Sequence, residues 1–289
     1  VKMFKNIQFC LTIASLLVCS CHARAIDIQK LPNGATVFSL KEGDDLRNAL
    51  QLVKLGDTIV LAAGSKYVGN FTLPAKPTQE MPSGRSPWIT IRTSALDQLP
   101  PLGHRVTPED TQSMPKIVTD NNVAALNSEF QAHHFHFIGL EITTTSTRVN
   151  DLIRFGYQGK TNNQARTTDD LPYRIVFERC YIHGNAEGNI RRGIAMNVRD
   201  FAILDSCISE IHEKGADSQA LCAWNGTGPF KIINNYVEGA GENILFGGAD
   251  PKIPELVPAD IEIRRNHFFK PNHWNKNHPD YGGVSWDVK

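Results

Sequence analysis

Net charge is the first thing this sequence lacks. Its 289 residues carry 30 Lys and Arg against 30 Asp and Glu. No global surplus therefore points to nucleic acid or to an anionic membrane surface as a partner. Cysteine is scarce as well: of six, only Cys180, Cys207 and Cys222 follow residue 25. Three thiols cannot form a complete disulfide framework. With no Cys-x-x-Cys pair and no His-Glu-x-x-His, a zinc site has no support. No long amphipathic helix falls in the second half, which excludes helical solenoids and disfavours alternating strand–helix units. The apolar stretch from Phe9 to Val18 is too short to span a bilayer. Lys2 and Lys5 precede it and Ala23-Arg24-Ala25 follows, so residues 1–25 read as an export signal. Val18-Cys19-Ser20-Cys21 loosely resembles a lipoprotein box, which leaves lipid attachment at Cys21 open. The expected location is secreted, periplasmic or cell-surface.

What the chain does have is a repeat. Five segments align without gaps, beginning at Phe137, Phe177, Leu204, Ile232 and Ile263. Each offers an apolar residue, two mostly polar ones, and then Leu140, Cys180, Cys207, Asn235 or Asn266, at steps of 40, 27, 28 and 31. Periods of this size mark solenoids, whose units bury their apolar face only by stacking. A second set, starting at Asp151, Gly193, Ala220 and Asn243, gives each turn at least two short strands. The expected fold is all-β: a parallel β-helix spanning 26–289 as one domain. Asn235 and Asn266 should form an inward ladder. Cys180 over Cys207 would make an inter-turn bridge conceivable, although buried thiols are the simpler reading. Asp44 or Asp45 should N-cap a short helix with Leu46, Ala49, Leu50 and Val53 on one face, covering the first turn. The segment 283–289 reads as another strand with no cap behind it, so the solenoid is expected to be truncated at its C-terminus.

Stacking also predicts which polar groups converge. Arg192, Gln219 and Glu242 should share one column with Asp151, with Arg191, Asp217 and Ser218 nearby and His212, Glu213 and Lys214 just upstream. At about 4.8 Å per turn, such a column holds both signs of charge within contact range. It would make either a groove wall or a run of mutual salt bridges on a solvated face. His133, His134 and His136 share a strand that reads as a solvated edge, with metal binding as the alternative. Asp250 and Glu255 flank Lys252 in a Pro-rich loop that reads as a turn or a lid.

The run Leu55-Gly56-Asp57-Thr58-Ile59-Val60-Leu61 with Gly64, Tyr67 and Gly69, together with Gly215–Ala220, Trp224-Asn225-Gly226, Gly241–Pro251 and Ile261–His267, resembles secreted bacterial right-handed parallel β-helix proteins of the pectate-lyase-like group. The resemblance covers roughly residues 35–289 and implies an activity on polysaccharide. Lyases of that group use calcium-binding carboxylates and an Arg or Lys base. By that analogy Arg192, Lys214 and His212 are the candidate catalytic residues and Arg191, Trp224 and Gln219 the substrate-binding ones, with Asp217 and Glu242 as ligands for Ca²⁺. The Arg-x-Pro-x-x-Arg and Trp-x-Asp-His signatures of one large lyase family are absent, and the hydrolases' motifs are not matched as a set. β-Elimination of an acidic glycan is the leading expectation. Hydrolysis by paired carboxylates and non-catalytic carbohydrate binding are the alternatives.

Overall fold

The computed structural model describes residues 26–78, 86–158 and 163–280. The expected export signal, with Cys19 and Cys21, and the strand expected at 283–289 lie outside these residues. Among the described residues, no helix is long and apolar enough to cross a membrane.

Successive strands visit three sheets of nine, seven and six strands in rotation. One coil runs Tyr173–Glu178, Tyr181–His183, Asn189–Met196. The next runs Arg199–Leu204, Cys207–Ile211, Gln219–Ala223. Equivalent strands pair in parallel, as in Ile175↔Phe201 and Phe201↔Phe230. The one antiparallel pair within these three sheets is Asp27–Lys30 on Thr36–Leu40, at the start of the nine-stranded sheet. The chain is thus a parallel β-helix, and the usual hand of parallel crossovers is right. Phe135, Phe137, Phe177, Phe201 and Phe230 fill its interior, with Phe137 and Phe177 stacked at 4.7 Å.

At the top, Asp45 N-caps helix Leu46–Leu52 by accepting from the Asn48 amide. Leu46, Ala49, Leu50 and Val53 are buried against the first coil. Lys76 Nζ closes the other end by donating to the Leu50 and Gln51 carbonyls at 2.8 and 2.9 Å, two of the acceptors a helix terminus leaves open.

The repeated segments straddle the bend between the first and second sheets. Each bend places one residue in the left-handed region: Gly139, Arg179, Asp205, Asn234 and Arg265, at φ 50–65°. The following residue turns inward. Asn266 Oδ1 accepts from Asn235 N at 2.8 Å, Asn235 Oδ1 from Ser206 N at 2.9 Å, and Ser206 Oγ from Cys180 N at 3.0 Å. Asn235 and Asn266 therefore stack as expected.

Cys207 does not share the Cys180 position. The register pairs Cys207 with Tyr181 and with Tyr236, and Ser206 occupies the rung. A one-residue slip sends a side chain to the opposite face. Cys180 accordingly lies in the core, whereas Cys207 packs outside with Leu99, Val106, Met114 and Tyr181. Leu204 with Cys207 and Ile203 with Ser206 fit the same apolar-x-x-small pattern, which is why the sequence misplaces the rung. Cys180, Cys207 and Cys222 are all buried free thiols.

The segment 94–115, between Ile89–Thr93 and Lys116–Thr119, runs across later coils as a strap. The left-handed residues hold it. Arg179 donates to Pro100 O at 3.1 Å, Asp205 accepts from Gly103 N at 2.7 Å, and Asn234 donates to Gly103 O at 2.9 Å.

Asn235→Ala should destabilise the chain by about 2–3 kcal/mol, because it strands buried donors and acceptors on two neighbouring coils. Cys207→Ser, off the ladder, should cost clearly less. Urea unfolding of both variants against the parent checks this, and equal losses would contradict the ladder's role.

Candidate functional site

The outer face of the third sheet carries the expected column. Asp151 pairs with Arg192, Arg192 with Gln219, and Gln219 with Glu242, across four consecutive coils. Arg192 Nη1 donates to Asp151 Oδ1 at 3.0 Å, and Gln219 Nε2 to Glu242 Oε2 at 2.9 Å. A second guanidinium arrives from Arg154, whose Nε lies 3.7 Å from Asp151 Oδ2. In a regular strand, residues 151 and 154 would face opposite ways. Here Leu152 and Ile153 both enter the core, so the strand is irregular between them and its two charged neighbours meet outside.

Aromatic rings back this cluster. Arg154 sits 3.6 Å from the Tyr157 ring centroid and Arg192 4.8 Å from that of Trp224. Asp151 is only 5 % exposed. Burial opposes the charge on Arg192, but the nearby Asp151 carboxylate prevails and holds its pKa above the ordinary value. Burial also pushes the Tyr157 phenol up, aided by Asp151, so Tyr157 is neutral at physiological pH. Burial raises the Cys222 thiol to about 11, which makes it unreactive. Asn122, Asn150, Asp151, Arg154 and Tyr157 line a groove of about 410 Å³.

Other expected residues lie elsewhere. Trp224 is 6 % exposed. Arg192 covers one side of its indole, and its Nε1 donates to Gln164 Oε1 at 3.3 Å. It has no free face for a sugar, so it supports Arg192 and is not a stacking platform. His212 is 1 % exposed, with Nε2 3.1 Å from Glu210 and its ring 5.0 Å from that of Trp274. A side chain so enclosed does not meet a glycan in this groove. Lys214 is exposed, and its amide donates to Asn189 Oδ1 at 2.8 Å, three residues or about 10 Å along the strand from Arg192. Glu213 is paired with Arg148 at 2.5 Å. Arg191 and Asp217 are half-buried.

Calcium takes six to eight oxygen ligands, commonly with several carboxylates. Among the described residues, no three His, Cys, Asp or Glu side chains gather where one ion could be held.

The histidine strand is not a solvated edge. His133 and His134 are 2 % and 7 % exposed, with ring nitrogens 2.6 Å apart. Burial lowers the His134 pKa to about 4, with His133 and Arg174 adding to the effect. The loop containing Lys252 is pinned where the Lys252 and Ile253 amides donate to Asn225 Oδ1 at 2.7 and 3.0 Å.

The sequence reading missed Arg154 and Tyr157. Arg154 stood in plain view within the Asp151–Phe155 segment. Strict alternation would put it on the face opposite Asp151, and the doubled core pair Leu152-Ile153 is the signal that it is not.

No protein-family model matches the chain, and no curated protein matches it. Among solved structures, it is similar to an alginate lyase from Paenibacillus sp. str. FPU-7. The identity is 16 %, with 82 % of this chain and 74 % of that chain covered, at a TM-score of 0.42. A likeness this distant carries no weight for chemistry.

Asp151→Ala should cost about 3 kcal/mol, because two guanidiniums lose the buried carboxylate they share. Asp151→Asn should cost less, since one oxygen acceptor remains. Thermal unfolding of the two variants measures this; a neutral Asp151→Ala would show that the cluster relaxes into solvent.

Proposed function

We propose that this β-helix holds an acidic polysaccharide along the third-sheet groove and cleaves it by β-elimination. The observation that carries the reading is a guanidinium at the groove wall: Arg154 lines the groove beside Asp151, the carboxylate it shares with Arg192. A uronate carboxylate entering there would meet Arg154, and a guanidinium's planar fork suits a carboxylate.

Neutralising that carboxylate acidifies the C5 proton of the sugar. A base removes the proton, the electron pair forms the C4–C5 double bond, and the C4–O bond breaks. The leaving oxygen then needs a proton. Tyr157 lines the groove as a neutral phenol and is assigned that donation. Lys214, held at Asn189, stands six residues or about 20 Å along the strand direction from Arg154 and is not assigned the C5 proton. Arg191 and Gln219 would extend substrate contacts along the column, and Asp217 and Glu242 would be the carboxylates for Ca²⁺. Residues 1–25 would export the protein to where such glycans occur.

The full chain incubated with polygalacturonate, alginate and hyaluronan should generate unsaturated uronate absorbance on at least one of them. Arg154→Ala and Tyr157→Phe should each lower turnover on the order of 100-fold, and loss of turnover with a chelator would support calcium at Asp217 and Glu242. New reducing ends without that absorbance would replace elimination by hydrolysis.

A further inference from the structure

A second groove lies on another face. The strap 94–115 passes over the outer side of the second sheet and encloses about 490 Å³ with it. Its floor offers Tyr181, Cys207 and Tyr236, which the register places on three successive coils. Tyr181 and Tyr236 are therefore about 10 Å apart along the helix axis.

The polar groups are held in place. Tyr236 Oη donates to Glu238 Oε2 at 2.7 Å, and Glu210 N donates to Glu238 Oε1 at 3.1 Å. Tyr181 Oη meets Ser209 Oγ at 3.2 Å. Glu238 is 6 % exposed. Glu210 has φ 56°, unusual for a side chain that is not glycine or asparagine, and sits where the register shifts between Ile208 and Ile211. Bulges of this kind re-aim a side chain and concentrate near functional surfaces; Glu210 lines the groove.

The chemistry differs from that of the third sheet. Glu109, Glu210 and Glu238 line this groove beside a single guanidinium, Arg105. Arg105 is engaged by Asn234 Oδ1 at 3.1 Å and Arg265 O at 2.8 Å. A polyanion is repelled here. A ligand with an apolar ring face and hydroxyl donors is matched: the face lies on the half-buried Tyr236, and hydroxyls donate to the carboxylates.

We propose that the strap and the second sheet form a separate binding site for a neutral saccharide, independent of the acidic glycan in the third-sheet groove. The protein would then hold two chemically different chains on two of its three faces.

Calorimetry on the full chain with cellohexaose, mannohexaose and laminarihexaose tests this, and it needs no catalytic activity. At least one neutral probe should bind. Tyr236→Ala and Glu210→Gln should each weaken that binding about 10-fold, with unchanged unfolding midpoints for Glu210→Gln as the folding control. Arg154→Ala should bind the same probe as the parent does, and polygalacturonate should not displace it. Three outcomes overturn the proposal: no neutral probe binds, binding is indifferent to both variants, or a chitosan hexamer binds more than about 10-fold tighter than any neutral probe. Loss of lyase activity in the parent leaves the result standing, because neither the probes nor the readout depend on it.

Discussion

The rest of the structure depends on the bend between the first and second sheets. Each coil must reverse direction there within two residues. The first takes a left-handed conformation, and Arg179, Asp205, Asn234 and Arg265 do so with side chains attached. Such residues cost on the order of 1 kcal/mol each. The second residue turns into the core, where Ser206, Asn235 and Asn266 satisfy the amide of the coil above and a carbonyl of their own or the neighbouring coil. The strained and the bonded residue are adjacent, so the ladder offsets the strain it sits beside. Because each rung fixes its neighbour's register, side chains tens of residues apart become vertical partners.

The left-handed residues have a second consequence. Their side chains point away from the core at regular intervals, and three of them grip the strap. Asp205 accepts from Gly103 N while Asn234 donates to Gly103 O and to Asp205 Oδ1 at 2.7 Å. The feature that sets coil register therefore also positions the roof of the second-sheet groove. A register error would both break the core ladder and misplace the strap.

Most of this fold was legible before any coordinates. The apolar spacing gave stacked strands, Asp45 and its helix gave the cap, and the shared positions of Ile194, Leu221 and Ile244 gave the Asp151–Arg192–Gln219–Glu242 column. Where the reading failed, local irregularity was the cause. Cys207 was taken for a rung because Cys and Ser are both small and polar enough to fit one. Arg154 was overlooked because a doubled core pair breaks the two-residue period. Trp224 reads as open because nothing nearby in sequence reveals that Gln164, two coils earlier, accepts its indole N–H. His212 was placed at the groove by proximity to Lys214, yet the neighbour that encloses it, Trp274, is far away in sequence.

The two grooves sort ligands by sign. On the third sheet, Arg154 lines the groove beside Asp151, so a guanidinium already stands where an incoming carboxylate would arrive. On the second sheet, three glutamates face one engaged arginine, so the same carboxylate would add to a like charge. The zero net charge of the whole chain says nothing of this division, because a sum over 30 cations and 30 anions carries no positions. Long-range attraction is correspondingly weak at physiological salt, where charges more than about 8 Å apart are largely screened. Selection between an anionic and a neutral chain must then occur on contact within each groove. That makes the placement of single side chains, fixed by the rungs behind them, the determinant of what each face can hold.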